Sequence, residues 1–174
     1  MSRWGLTSGV ERVMRAVAKA HRRTGTPITV RTHPTSETGL HIQRVMCTEE
    51  GVAPERIVLG HSGDTTDVEH LSALADAGFI LGMDRFDTTF EARADTLVEM
   101  CRRGYAGQMV LSQDASCFID WIDPQVKAML TQWTYLHIEQ DVLPYVRERG
   151  VTEEQITTML VDVPRRYFEN TDSY

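Results

Sequence analysis

Short apolar runs alternate with helical stripes along this chain. Four of the runs, residues 27–33, 56–61, 78–84 and 109–114, end on a side chain able to bind a metal: His33, His61, Asp84 and Asp114. Each is rich in apolar or β-branched residues and bounded by turn-forming or charged ones, the pattern of a strand buried on both faces. Helical stripes fill the gaps. Val10, Val13, Met14 and Val17 follow the i, i+3, i+4, i+7 template behind Thr7, predicting a helix to about residue 23. Ile42, Val45 and Met46 mark a second helix over about 40–50, after a loop at 34–39. Val68, Leu71 and Leu74 mark a third, capped by Asp67 or a neighbouring threonine, and Ala94, Leu97, Val98 and Cys101 a fourth near 90–103.

Beyond Asp114 the period lapses. Residues 115–134 carry Trp121, Pro124 and Trp133 without a clean repeat, which reads as a functional loop or lid or as a helical excursion over 123–130. A helix then starts near Tyr135 with Ile138, Val142 and Val146 inward, and Pro144 predicts a kink in it. Thr152 and Gln155 form a capping box for a final helix striped by Ile156, Met159, Leu160 and Val163. Pro164 opens a short terminal turn, and the tail from Glu169 frays.

Successive strand ends fall 28, 23 and 30 positions apart, room for a loop, a helix and a parallel return. Helix and strand in alternation predict a parallel sheet. A complete (β/α)₈ barrel takes about 250 residues. A chain of 174 residues reads instead as α/β and TIM-barrel-like: a half-barrel of four parallel strands with flanking helices, one partial domain over 1–174. The four metal-binding side chains then leave the sheet at its carboxyl edge, where α/β proteins keep their chemistry.

Composition narrows the partners. With 18 Lys and Arg against 25 Asp and Glu, a net charge of -7 and no basic stripe, nucleic acid is excluded as a partner. The pairs Arg22 and Arg23, Arg102 and Arg103, and Arg165 and Arg166 read as solvated helix-end charges. No run approaches the roughly 18 apolar residues of a membrane span, and the first residues lead into a helix, not a signal-peptide core. A cytoplasmic location follows. Cys47, Cys101 and Cys117 form no C-x-x-C and read as inert thiols in a reducing compartment.

Two imidazoles and one or two carboxylates make an N/O donor set suited to Zn²⁺, Mn²⁺, Fe²⁺ or Co²⁺. Such an ion brings the pKa of bound water to about 7, and Asp114 or Asp64 is placed to take the proton. Residues 60–63 are not a G-x-S-x-G elbow, and no glycine-rich phosphate loop occurs. His21, His41, His70 and His137 fall on helices away from the strand ends and read as surface or supporting residues.

Six segments carry a family resemblance: Gly5 to Val13, Thr32-His33, Ile57 through His61 to Asp64, Gly82-Met-Asp-Arg85-Phe, Leu111-Ser-Gln-Asp114, and the tail Gln155 to Phe168. Together they closely resemble strands five to eight of the phosphotriesterase family of the amidohydrolase superfamily. The resemblance implies a binuclear metallohydrolase in which a hydroxide bridging two ions, commonly zinc, attacks a lactone or an organophosphate triester. It assigns His33 and His61 to the more exposed ion, Asp114 to the buried ion and to the proton from the nucleophile, and Asp64 to a proton relay. Arg85 stands where the lactonase-like branch carries arginine.

The family's H-x-H pair and its bridging carboxylated lysine have no counterpart here, since Lys19 and Lys127 sit in helical contexts. Two readings follow. In the first, the chain is the carboxy-terminal half of such a hydrolase and holds one ion or none alone. In the second it is a non-catalytic half-barrel that self-associates or pairs with a separate amino-terminal half. Open strand edges and an uncovered inner sheet face, at about 25 cal/mol per Å² of apolar surface, predict a homo-oligomer.

Overall fold

The computed structural model describes residues 6–33, 38–86, 90–116, 118, 120, 122–130 and 132–169. Most of the loop at 34–39, Cys117, Trp121 and the end of the tail lie outside them. The first helix, α1 (Ser8–Thr24), begins where Thr7 accepts a hydrogen bond from the Val10 amide, and ends on Gly25 in the left-handed conformation, φ 68°. That turn needs a residue without Cβ, and it delivers the chain into β1 (Ile28–Arg31).

The expected order then repeats. α2 (Thr38–Ile42) runs on as a π-helical segment, Gln43–Glu49, before β2 (Ile57–Gly60). α3 (Val68–Asp76), capped by Asp67 as expected, precedes β3 (Ile80–Met83), and α4 (Phe90–Arg102) precedes β4 (Met109–Leu111). The strands form one parallel sheet in the order β1-β2-β3-β4, with Arg31 opposite Gly60 and Gly82 opposite Val110. Chain order and spatial order coincide, as in consecutive barrel units.

Within the period-free stretch the helical excursion is real but short, α5 (Pro124–Met129). The prolines of the last helices each follow a π turn. Ile138–Val142 is π-helical directly before α6 (Leu143–Glu148), which has Pro144 in its first turn. After the capping box of Thr152 and Gln155, α7 (Glu153–Thr157) passes through a second π turn, Thr158–Asp162, into α8 (Val163–Glu169) with Pro164 at its start. A proline has no amide hydrogen and crowds the carbonyl four residues back, so an extra residue in the preceding turn relieves both problems.

Two apolar layers result. Ile57, Leu59, Leu81, Met83 and Met109 face the helices and pack with Met14, Met46, Leu71, Leu97 and Met100. On the opposite, inner face, Val58, Ile80 and Val110 pack against Val163 and Tyr167 of α8. Tyr167 also shares a 3.1 Å hydrogen bond with Thr29 of β1. What reads in the sequence as a terminal turn is therefore a helix that plugs the amino-terminal end of the inner face. The face expected to be bare is covered there and left open toward the carboxyl edge.

Candidate metal centre

The open end is floored by glycine. On the inner face, the positions beside Arg31 are Gly60 and Gly82, and a Cβ on Gly82 would come within 3.1 Å of the Gly60 Cα and 3.2 Å of the Leu59 carbonyl oxygen. The strands approach too closely there for side chains, which leaves a recess beneath the strand ends. Three residues at these strand ends have positive φ: His61 at 64°, Arg85 at 55° and Asp114 at 47°, the three such non-glycine residues among those described. A left-handed residue with a Cβ costs about 1–2 kcal/mol. Three of them, each at the end of a different strand, mark a site where side-chain direction outweighs backbone comfort.

His61 is buried and firmly held. Its backbone amide donates to Asp84 Oδ2 at 2.9 Å, and its ring Nδ1 lies 2.9 Å from Asp84 Oδ1, the aspartate itself being buried. An ionised carboxylate only accepts, so Nδ1 carries the hydrogen and Nε2 presents its lone pair. Arg31 Nε donates to that Nε2, consistent with the same tautomer. Asp84, which reads in the sequence as a ligand candidate, spends both oxygens on His61.

Asp64, Arg85 and Arg93 form a second cluster. Arg85 pairs with both Asp64 oxygens, its Nε at 3.2 Å from Oδ1, and Arg93 Nη1 lies 2.9 Å from the same Oδ1. Arg93 also donates to the Arg85 carbonyl, which fixes the left-handed turn. The Asp64 side chain is 5% exposed and so depends on these two cations. Its turn is seated against β3, since a Cβ on Gly63 would meet the Asp84 amide at 3.2 Å.

His33 lines a small cleft with His61, Thr32, Thr65 and, unexpectedly, His70 of α3. Asp114 is exposed, with Oδ2 3.7 Å from Arg31 Nη2 and its carbonyl accepting from Trp133 Nε1. His33 and His61 thus share a cleft, and Asp114 meets His61 only through Arg31. Among the described residues no three His, Cys, Asp or Glu side chains are gathered as a ready metal cage. The donors still suit one divalent ion: a carboxylate-oriented imidazole, a second imidazole in the same cleft, and a guanidinium lying where a positive charge bridges His61 and Asp114.

Two contributors, Arg31 and Arg93, carry no role in the sequence. Arg31 and His33 share the β1 face by simple alternation with Thr29, a signal that would have found Arg31. Arg93 had none, and His137 has the supporting part expected of it. His137 is buried, with Nε2 2.6 Å from the Phe86 carbonyl and Nδ1 2.7 Å from Asp141 Oδ2, so it braces the segment next to Arg85. The thiols are inert, as expected for Cys47 and Cys101: burial pushes both up to about 11. At pH 8 about one in a thousand of either is thiolate. Disulfide-exchange labelling of the native chain should therefore modify both far more slowly than the unfolded chain.

Four parallel strands in chain order, with their flanking helices, form half of a (β/α) barrel. The model of the phosphotriesterase family matches residues 1–168, and the chain belongs to that family. It is 50% identical to the phosphotriesterase from Mycobacterium tuberculosis, whose structure superposes with a TM-score of 0.94 over 98% of this chain and 54% of that one. An aryldialkylphosphatase of Saccharolobus solfataricus is 35% identical over 171 residues, 94% of this chain and 54% of the relative. A weak promiscuous lactonase template engineered for organophosphate hydrolysis is 30% identical, with a TM-score of 0.81 over 93% of this chain and 53% of that one. The chain spans about half the length of the relatives it matches.

Proposed function

We propose that the chain is the carboxy-terminal half of a metal-dependent phosphotriesterase-like hydrolase, a single partial domain over 1–174 whose complete centre cleaves lactones or organophosphate triesters. The observation that supports this reading is the position of His61, Arg85 and Asp114 at the ends of β2, β3 and β4, each on a left-handed backbone. The names phosphotriesterase and aryldialkylphosphatase among the relatives support small-molecule esters as substrates, and Arg85 favours lactones.

His33 and His61 are the residues that would hold an ion, Zn²⁺ before Co²⁺, Mn²⁺ or Fe²⁺ by their N/O chemistry. When bound, such an ion supplies Lewis acidity and a water nucleophile at neutral pH. Asp114, exposed and close to Arg31, is the carboxylate open to a third ligand role and to accepting a proton. Asp64 lies between two guanidiniums, which do not release protons at physiological pH. Its part in any relay is as a fixed anion that positions Arg85.

Among the described residues no helix is long and apolar enough to cross a membrane. The net charge of -7 disfavours nucleic acid as a partner, and a cytoplasmic enzyme of small molecules is part of the proposal.

The test is complementation. The metal-loaded chain is assayed on a panel of lactones and organophosphate triesters, alone and mixed with the amino-terminal half of the Mycobacterium tuberculosis relative. Turnover that appears with the partner half and disappears in His61→Ala supports the reading. Its absence from every mixture, with both halves folded, contradicts it.

A second reading, the self-associating half-barrel, has its own observation. Val10, Val13, Met14 and Val17 of α1 and Ile28 and Val30 of β1 line an apolar groove beside the free edge of β1, with Val13 61% exposed. Sedimentation that shows a monomer at all concentrations would remove it.

A further inference from the structure

We propose that Arg31 is a tethered cation that occupies the ligand side of His61 and Asp114, and that a divalent ion enters this centre by displacing it. The inference rests on the reading of His61 as a metal ligand and adds a residue to which neither the sequence reading nor the family match assigns a role.

Arg31 ends β1 on the inner face, one layer above Thr29. Its neighbour across the ladder is Gly60, with Gly82 beyond, so no side chain fills the space over which it extends. The guanidinium reaches across this glycine floor, and among its contacts Nε donates to His61 Nε2 and Nη2 stands 3.7 Å from Asp114 Oδ2. The first takes up the lone pair that Asp84 has oriented for a ligand role. The second neutralises the carboxylate nearest to it.

A guanidinium stays charged at any physiological pH and has five donors and no acceptor. It therefore cannot share Nε2 with a cation. One or the other occupies the lone pair, and two positive charges within a few ångströms of each other repel. Arg31 is also well suited to leave. Its side chain is 67% exposed, so polar contacts and not burial hold it in place. In the metal-free chain it keeps the His61 tautomer and the Asp114 carboxylate in place; in the metal-bound chain it swings aside on its long stem.

The experiment has two arms on the full chain. In metal-free protein, ¹⁵N NMR of the His61 ring is compared between wild type and Arg31→Met. The Nε2 resonance should move toward the value of an unbonded imine nitrogen in the variant, while Nδ1 stays protonated. In parallel, Co²⁺ affinity is measured by equilibrium dialysis for wild type, Arg31→Met and Arg31→Lys. Arg31→Met should bind at least about tenfold tighter, with Arg31→Lys in between because it keeps the charge and loses the fork.

Equal or weaker Co²⁺ binding by Arg31→Met, with binding still lost in His61→Ala, overturns the Arg31 proposal and leaves the metal reading standing. An absence of His61-dependent Co²⁺ binding in all three proteins overturns both. The NMR arm separates these cases from a folding defect, because an intact Asp84 contact to Nδ1 reports a native ring.

Discussion

Replacing Asp64 with alanine is expected to lower the unfolding free energy by about 3 kcal/mol, the lower end of the cost of leaving a buried cation without its anion. The clamp explains why. Arg93 has a side chain only 13% exposed and finds water poorly once the carboxylate is gone, whereas Arg85, 35% exposed, is rehydrated in part. For a chain of this size the loss lowers Tm by roughly 10 °C. Asp64→Asn keeps the shape and fails to compensate the charge, so it should fall nearer to alanine than to wild type. Urea denaturation of the metal-free proteins measures all three. A loss below about 1 kcal/mol would place the cluster among solvent-screened surface pairs.

Asp84→Asn is expected to weaken metal binding by about 10–100-fold, the usual effect of removing a carboxylate behind a ligating histidine. The argument is one of tautomers. The His61 backbone amide needs an acceptor and takes the amide oxygen of asparagine, which leaves the NH₂ group facing Nδ1. Nδ1 must then accept, the ring hydrogen moves to Nε2, and the lone pair no longer points toward the recess. Co²⁺ titration compares the variant with wild type, and ¹⁵N NMR shows which nitrogen is protonated. Unchanged affinity with the hydrogen on Nε2 would show that His61 does not ligate through that atom.

Much of the fold was legible in the residues because it depends on local chemistry. The strands follow from short apolar runs, α1 from its stripe between Thr7 and Gly25, and α7 from the reciprocal cap of Thr152 and Gln155. The parallel order follows from spacing alone. The π turns before Pro144 and Pro164 were not legible, since a proline inside a helical stripe signals a fault without saying how the backbone absorbs it. Nor was the plug of Val163 and Tyr167 on the inner face, a contact between residues more than a hundred positions apart.

The site divides along the same line. His33, His61, Asp64, Arg85 and Asp114 all fall at or beside strand ends because alternation and spacing put them there. Their backbone conformations, the partnership of Asp84 with His61 and the two-arginine clamp on Asp64 arise from tertiary packing. Arg31 is the instructive case. It reads in the sequence as an ordinary strand residue, and only the glycines opposite and beyond it, Gly60 and Gly82, give its side chain room to reach His61.

The donor set fits one ion, and neither an H-x-H pair nor a bridging lysine accompanies it. On the proposed function, this chain carries one half of a two-ion hydrolytic centre, with His33 and His61 as its first ligands. Titration of the purified chain with Zn²⁺ or Co²⁺, with elemental analysis, tests it most directly. One ion per chain in wild type and none in the His33→Ala, His61→Ala double variant is the predicted result. No bound ion in wild type, or the same stoichiometry and affinity in the double variant, would contradict it.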